Sequence, residues 1–377
     1  MKAKRKLFEQ VVNTLFFMYI QCMKRIYLDY ASLTPIDKKV MREIKKYSTG
    51  DYSNPSALYA SAVKAKNVLE DAKTRVAKVL HAHADEIIFT SGGTESNQLV
   101  LNQFKGKKIV ISSIEHSSII RNAQNDSQAT QIAVGSDGIV DLDLLKKSIT
   151  AETALVSIMM VNNEIGSIQP IQDIAKIVRD ARKAFGTNII LHTDACQAAI
   201  HSPLYVEKLG IDLMTLDGAK MYGPRGVGML YVRRGTLDIE RAGTENIPGI
   251  MGFARALEFA EKTRERETTR ISKLKNFFIN QLHKMNPEVK VNGSFENSTP
   301  HILNISIPKI DNEFFVLQLD AKGIECSTKS ACLRDEDESY VLKALSADSK
   351  TSIRFSFGRK TTKSQLKKTL KIIGKIV

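Results

Sequence analysis

The stretch EIIFTSGGTESNQLVLNQFKGKKIVIS, residues 86–112, decides the fold. Ile87 to Thr90 read as a buried strand, and Ser91-Gly92-Gly93-Thr94 as a tight turn. SNQLVLNQF then has helical character, and KIVISS (108–113) is another strand. The alternation continues downstream. TALVSIMMV (153–161), NIILHTD (188–194), IDLMTL (211–216) and GVGMLYV (226–232) read as strands with helical stretches between most of them. This pattern predicts an α/β domain built on a mostly parallel sheet.

On either side the chain changes character. Upstream, Val68, Leu69, Ala72, Val76 and Leu80 recur at helical spacing, predicting a helix over about 58–80. Downstream, the polar run from Phe253 to Met285 is a long helix placed to bridge domains. After it, HILNISI (301–307), GIECST (323–328) and TSIRFSF (351–357) are short strands among two helices, an α+β pattern. At 377 residues more than one domain is expected. The division predicted is a large domain over 38–260 and a smaller one formed by 23–37 with 261–377.

Composition narrows the function classes. With 43% hydrophobic and 25% charged residues the chain is an ordinary globular protein, neither disordered nor fibrous. The formal charge of +14 is spread along the chain, with local excess only at 2–6 and 359–375. No interleaved aromatics or nucleic-acid module accompany it, so it reads as a solvated face and no direct nucleic-acid partner is expected. The four cysteines (Cys22, Cys196, Cys326 and Cys332) form no CxxC pair, which points to a reducing, cytoplasmic setting rather than a disulfide framework. No metal site is expected, because Cys326 and Cys332 lack zinc spacing and His81 and His83 lack further ligands.

Residues 1–22 stand apart. Their basic start and the apolar run Val11 to Ile20 resemble a poor signal peptide, interrupted by Glu9 and Gln10 and too short to span a bilayer. The globular pattern begins at Met23, so 1–22 reads as an extension preceding the true start or, less well, as a membrane-proximal segment.

In an open parallel sheet, ligands bind beyond the carboxyl ends of the strands. There this chain places Gly93 and Thr94 at a helix N-terminus suited to phosphate. It also places an imidazole (His116), an amide (Asn163), a carboxylate with a second amide (Asp194, Gln197) and a lysine (Lys220) at strand ends. A lysine for a Schiff base, an acid for a pyridinium nitrogen and a phosphate cradle are the parts that pyridoxal 5'-phosphate requires.

An ordered series of motifs extends this reading from Tyr27 to Thr362: IYLDYASLTP, NPSALY, IIFTSGGTESNQL, EHSSI, VNNEIGSIQPI, HTDACQAA, AKMYGPRGVGMLYV, RAGTENIPGI, STKSACL and SIRFSFGRKTT. With them the chain resembles the class V aminotransferase-fold enzymes, which are pyridoxal-phosphate transferases of fold type I, and among them the cysteine desulfurases. The resemblance implies that Lys220 holds the cofactor, Asp194 pairs with its ring nitrogen and His116 stacks on the ring. It further implies that Asn163 and Gln197 bond the ring oxygen, that Gly93 and Thr94 serve the phosphate, and that Arg354 with Asn163 binds the substrate carboxylate. Thr244 would reach the phosphate of a neighbouring subunit, which implies a homodimer. Cys332, in a polar stretch expected to be a mobile loop, would take sulfur from L-cysteine as a persulfide, leaving alanine. An acceptor protein, an iron–sulfur scaffold or a tRNA-thiolation factor, would then receive it.

The chain departs from the family pattern beside the lysine. Asp217 and Ala219 stand where a serine and a phosphate-binding histidine are usual, Tyr59 replaces a histidine, Lys329 replaces a glycine, and the loop between Arg234 and Arg241 is short. A carboxylate near a phosphate repels it by about 4 kcal/mol at 4 Å and an effective dielectric of 20. Asp217 is therefore expected to turn away, find a cation or be protonated. Weaker cofactor binding is expected, and Ala219→His is expected to strengthen it. Two alternatives accompany the desulfurase reading: another class V reaction, such as selenocysteine lysis or transamination, and a non-catalytic scaffold homologue.

Overall fold

The computed structural model describes residues 25–49, 53–124, 128–330 and 338–377. Cys22, Cys332 and the 1–22 extension lie outside the described residues.

In chain order the first elements are β1 (Ile26–Tyr27), α1 (Lys38–Ser48), α2 (Ala60–Leu80), β2 (Ile87–Thr90), α3 (Gly93–Asn102), β3 (Lys108–Ser112) and α4 (Ser117–Gln124). There follow β4 (Ala129–Ile132), α5 (Leu142–Ser148), β5 (Thr153–Ser157), α6 (Ile171–Phe185), β6 (Ile190–Asp194), α7 (Val206–Leu209), β7 (Leu213–Asp217) and β8 (Gly228–Val232). Seven strands form one sheet in the order β2-β8-β7-β6-β5-β3-β4. All neighbours pair in parallel except β8, which runs antiparallel to both β2 and β7. The carboxyl ends of β2, β3, β5, β6 and β7 therefore share one edge.

Helices cover the sheet because their apolar residues fall on one stripe. In α6, buried Ile171, Ile174, Ala175 and Val178 follow the i, i+3, i+4, i+7 pattern. The sheet is covered on both faces: every residue of β6 and β8 is buried, as expected for strands sandwiched between helices, the polar His192, Thr193 and Asp194 of β6 included. Each fully buried Ile or Leu contributes about 1.5–3 kcal/mol relative to exposure, so this layer dominates the stability of the scaffold under the site.

The rest of the chain comprises α8 (Ile247–Met285), β9 (Lys290–Val291), β10 (Ile302–Ser306), α9 (Asn312–Asp320), β11 (Ile324–Glu325), α10 (Tyr340–Ala344), β12 (Ser352–Ser356) and α11 (Lys363–Ile373). β12-β10-β9 form an antiparallel sheet, and β1 pairs with β11 in parallel. Helix α8 serves two hydrophobic clusters. Ile247, Ile250, Phe253 and Leu257 pack with the large sheet, whereas Ile271, Phe278, Ile279 and Leu282 pack with β10, β12 and Ile26 and Leu28. It begins six residues before Phe253, the start read from sequence, because Asn246 caps it through Gly249 N and its first turn accommodates proline. Gly249 and Gly252 are packing glycines there: a Cβ on Gly252 would lie 2.5 Å from Ile44 Cγ1.

The strand read as 153–161 stops at Ser157. The chain beyond it still donates from Ile158 N to His192 O and from Met160 N to Asp194 O, turning toward the site. The edge strand β4 has no counterpart in the sequence reading, since its four residues carry no apolar alternation.

Candidate active site

A cavity of about 240 Å³ lies at the carboxyl edge of the large sheet, lined by Ala31, Ser32, Gly93, Thr94, Asn97, His116, Met159, Asn163, Asp194, Cys196, Gln197, Asp217, Lys220, Ser330 and Arg354. Eight of the residues singled out in the sequence thus converge: Gly93, Thr94, His116, Asn163, Asp194, Gln197, Lys220 and Arg354. Thr244 is exposed and outside this lining. Cys332 lies outside the described residues, and the flanking Ser330 lines the cavity.

The turn after β2 is shaped by glycine. Gly92 takes φ 156° and ψ 179°, a region that glycine alone enters freely, and caps α3 without a side chain. A Cβ on Gly93 would fall 2.7 Å from Cys196 Sγ. The start of β8 is equally close: a Cβ on Gly228 would lie 2.7 Å from Gly92 Cα. These contacts bring the α3 N-terminus against the end of β7.

Asp194, 6% exposed at the end of β6, accepts from Cys196 N at 3.0 Å and from Asn97 Nδ2 at 2.8 Å. Asn97 also donates to Ser118 Oγ at 2.9 Å, and Ser118 N donates to His116 Nδ1 at 3.2 Å. One amide therefore ties the carboxylate to the imidazole. Its Oδ1 is buried with no partner among the described residues, because both neighbours draw on its N–H groups.

Gln197 donates to Ala31 O at 2.8 Å, and its Oε1 faces His301 Nε2 at 3.2 Å. His301 stacks on His201 with ring centroids 4.9 Å apart. Burial pushes both imidazoles down, His201 to about 3, so each is neutral near neutral pH. Lys220 Nζ donates to Ser32 O at 2.5 Å and to Ala31 O at 3.3 Å. Cys196 and Cys326 carry thiols raised above the usual range, chiefly by burial, and thus unsuited to nucleophilic work.

Arg354, 1% exposed on β12, donates from Nη1 to Asn163 O at 2.9 Å and from Nη2 to Asp29 Oδ1 at 2.7 Å. Its Nε has no partner among the described residues.

Two buried carboxyls escaped the sequence reading. Glu164 accepts from Ser330 N at 3.2 Å and from Ser339 Oγ at 2.6 Å, the residues on either side of the stretch that contains Cys332. Glu115 accepts from Met159 N at 2.8 Å and from Ser112 Oγ. Both sit inside quoted motifs, VNNEIG and EHSSI, but acidic residues there read as solvated turns until their burial is known. Asp217 was expected to turn away, pair with a cation or be protonated. It does not turn away: Oδ2 accepts from Gly93 N at 3.3 Å and Oδ1 from Ala219 N at 2.8 Å.

An α/β scaffold with a lysine, a buried acid and a glycine-lined helix N-terminus around one cavity defines a pyridoxal-phosphate type of site. The chain belongs to the class-V aminotransferase family, which it matches over residues 26–240 and 238–369. Its relatives include "Cysteine desulfurase IscS" of Dictyoglomus turgidum, 38% identical with 94% of this chain and 95% of the relative covered. The protein of the same name from Methanosarcina thermophila is 36% identical, covering 94% and 92%. Among solved structures it is similar to a NifS-like protein (31% identity, TM-score 0.85, 93% and 99% covered). It is also similar to a NifS-like protein from Rickettsia africae (29%, TM-score 0.84, 93% and 99%).

Enzymes of this family use pyridoxal 5'-phosphate. The residues present fit it: the Gly93 turn has no room for a side chain, Asp194 is oriented by two donors, and Lys220 reaches the same cavity. Only the Asp217 carboxylate at the α3 N-terminus runs against the fit.

Proposed function

We propose that the protein is a pyridoxal-phosphate-dependent cysteine desulfurase that converts L-cysteine to L-alanine and carries the sulfur as a persulfide on Cys332. The observation that carries the reading is the convergence of Lys220, Asp194, His116 and Arg354 on one cavity with Ser330, two residues before Cys332.

When bound, the cofactor supplies an electron sink for the substrate's α-carbon. Lys220 would hold it, Asp194 would keep its ring nitrogen protonated, and His116 would cover the ring. Asn163 and Gln197 would bond the ring oxygen, and Gly93 and Thr94 would donate to the phosphate. Arg354 binds the substrate carboxylate through N–H groups left open beside Asp29 and Asn163. Lys220 Nζ moves the α-proton. The Cys332 thiolate attacks the substrate sulfur: the S–S bond forms, the C–S bond breaks with its electron pair going to carbon, and a proton there completes alanine.

We also propose the division into 38–260 and 23–37 with 261–377, a cytoplasmic setting, and a homodimer in which Thr244 reaches the partner subunit's phosphate. The exposure of Thr244 supports the last. Among the described residues no helix is long and apolar enough to cross a membrane. The acceptor would be an iron–sulfur scaffold or a tRNA-thiolation factor, reached by protein contact.

Asp217 favours a second reading, a homologue that no longer binds cofactor. One experiment separates them. Protein purified with added cofactor should show a borohydride-sensitive visible band and release alanine from L-cysteine. Absence of the band in wild type and its variants supports the second reading. Cys332→Ala should abolish sulfur transfer and alanine formation from L-cysteine; if alanine formation survives it, the C–S bond is broken without that thiol, and a cofactor-only lyase reaction replaces the persulfide route.

A further inference from the structure

Asp217 ends β7 with its side chain in the cavity and its carboxylate directed at the N-terminus of α3. Helix α3 spans ten residues and its N-cap, Gly92, provides no side-chain acceptor. The cap comes instead from a residue 124 positions away, Asp217 Oδ2 on Gly93 N. Among the described residues no lysine, arginine or histidine lies within 4.0 Å of this carboxylate, whereas Glu95 in the same helix turn is paired with Arg241. The negative charge is therefore held by backbone N–H groups and the positive end of the helix, the features that would otherwise receive a phosphate.

We propose that Asp217 is a resident anion in the phosphate seat and determines which pyridoxal species the protein prefers. This rests on the cofactor reading above. A phosphorylated cofactor must displace the Asp217 carboxylate from Gly93 N or share the seat with it. Its phosphate consequently adds little affinity, and unphosphorylated pyridoxal competes on nearly equal terms. Replacing the carboxylate with a neutral side chain opens the seat. Asparagine or serine keeps an oxygen for Ala219 N, so the short helical turn that leads to Lys220 retains its cap.

The test uses the full chain stripped of cofactor, titrated with pyridoxal 5'-phosphate and with pyridoxal and followed by absorbance. In wild type the two should bind within about tenfold of each other. D217N and D217S should bind the phosphorylated form at least tenfold more tightly, with pyridoxal changed less than twofold. Inorganic phosphate alone should raise the unfolding temperature of either variant and leave wild type unmoved. An unchanged affinity ratio in both variants, or equal stabilisation of wild type by phosphate, overturns the proposal. If no aldehyde binds any form while phosphate stabilises only the variants, the anion seat stands and the cofactor reading falls. D217N and D217S are two chances to retain the fold, checked by the unfolding transition of each unliganded protein.

Discussion

Arg354 Nη2 donates to Asp29 Oδ1 at 2.7 Å, joining β12 to the segment after β1 and fixing a guanidinium that is almost wholly buried. A planar fork so held can meet a carboxylate in two-point fashion, which a lysine cannot. Arg354→Lys should raise KM for L-cysteine about 10–100-fold, the loss of one charge-assisted bond, with a smaller fall in kcat. Steady-state alanine formation over a range of substrate checks it; a change confined to kcat contradicts the binding role.

Asn97 holds Asp194 and, through Ser118, His116. Asn97→Ala leaves one Asp194 oxygen without its donor and should cost about 1–3 kcal/mol of stability. Asn97→Asp should cost more, because two carboxylates would then face each other at hydrogen-bond distance. Urea unfolding of the cofactor-free proteins measures both, and equal losses would show that the amide donor is not what holds Asp194.

Glu164 bonds Ser330 N and Ser339 Oγ, and its carboxyl is raised above the usual range by burial. Glu164→Ala removes both contacts at once. Alanine formation should fall about 5–150-fold, corresponding to about 1–3 kcal/mol, with the visible band of bound cofactor intact. Loss of the band together with the activity would instead assign Glu164 to general folding.

Glu115 is pushed up to about 8, first by burial and then by the Asp194 charge, against the bonds from Ser112 and Met159. Between the ordinary glutamate range near 4.3 and about 8 the native state binds this proton and the unfolded state does not. Stability from this group therefore falls as pH rises through that window: there is no cost below it, and the full cost above. Glu115→Gln should gain on wild type by a few kcal/mol between about pH 5 and 8.5, read as the difference in urea midpoints at the two values. A difference independent of pH would rule this out.

The framework was legible in the sequence because it depends on pattern. Buried strands are short apolar runs, α2 shows its stripe at 3.6-residue spacing, and residues at the ends of parallel strands share an edge whatever the details. The start of α8 and the strand β4 were not legible. Pro248, Gly249 and Gly252 read as loop until Val227 is found packed against Gly249 and Ile44 against Gly252, and four residues on a sheet edge carry no period of their own.

Lys220, Asp194, His116, Asn163, Gln197 and Thr94 were named from their types and places along the chain, and Arg354 from the family resemblance. By itself the sequence determined which chemistry could be assembled. Only the tertiary structure decided where charge rests within it: that Asp29 shares Arg354, that Glu164 binds both Ser330 and Ser339, and that Asp217 faces the helix N-terminus. The physical reason is that a side chain's direction depends on donors supplied by distant residues. Gly93 N comes within reach of Asp217 only because two glycine backbones, Gly92 and Gly228, pack against each other.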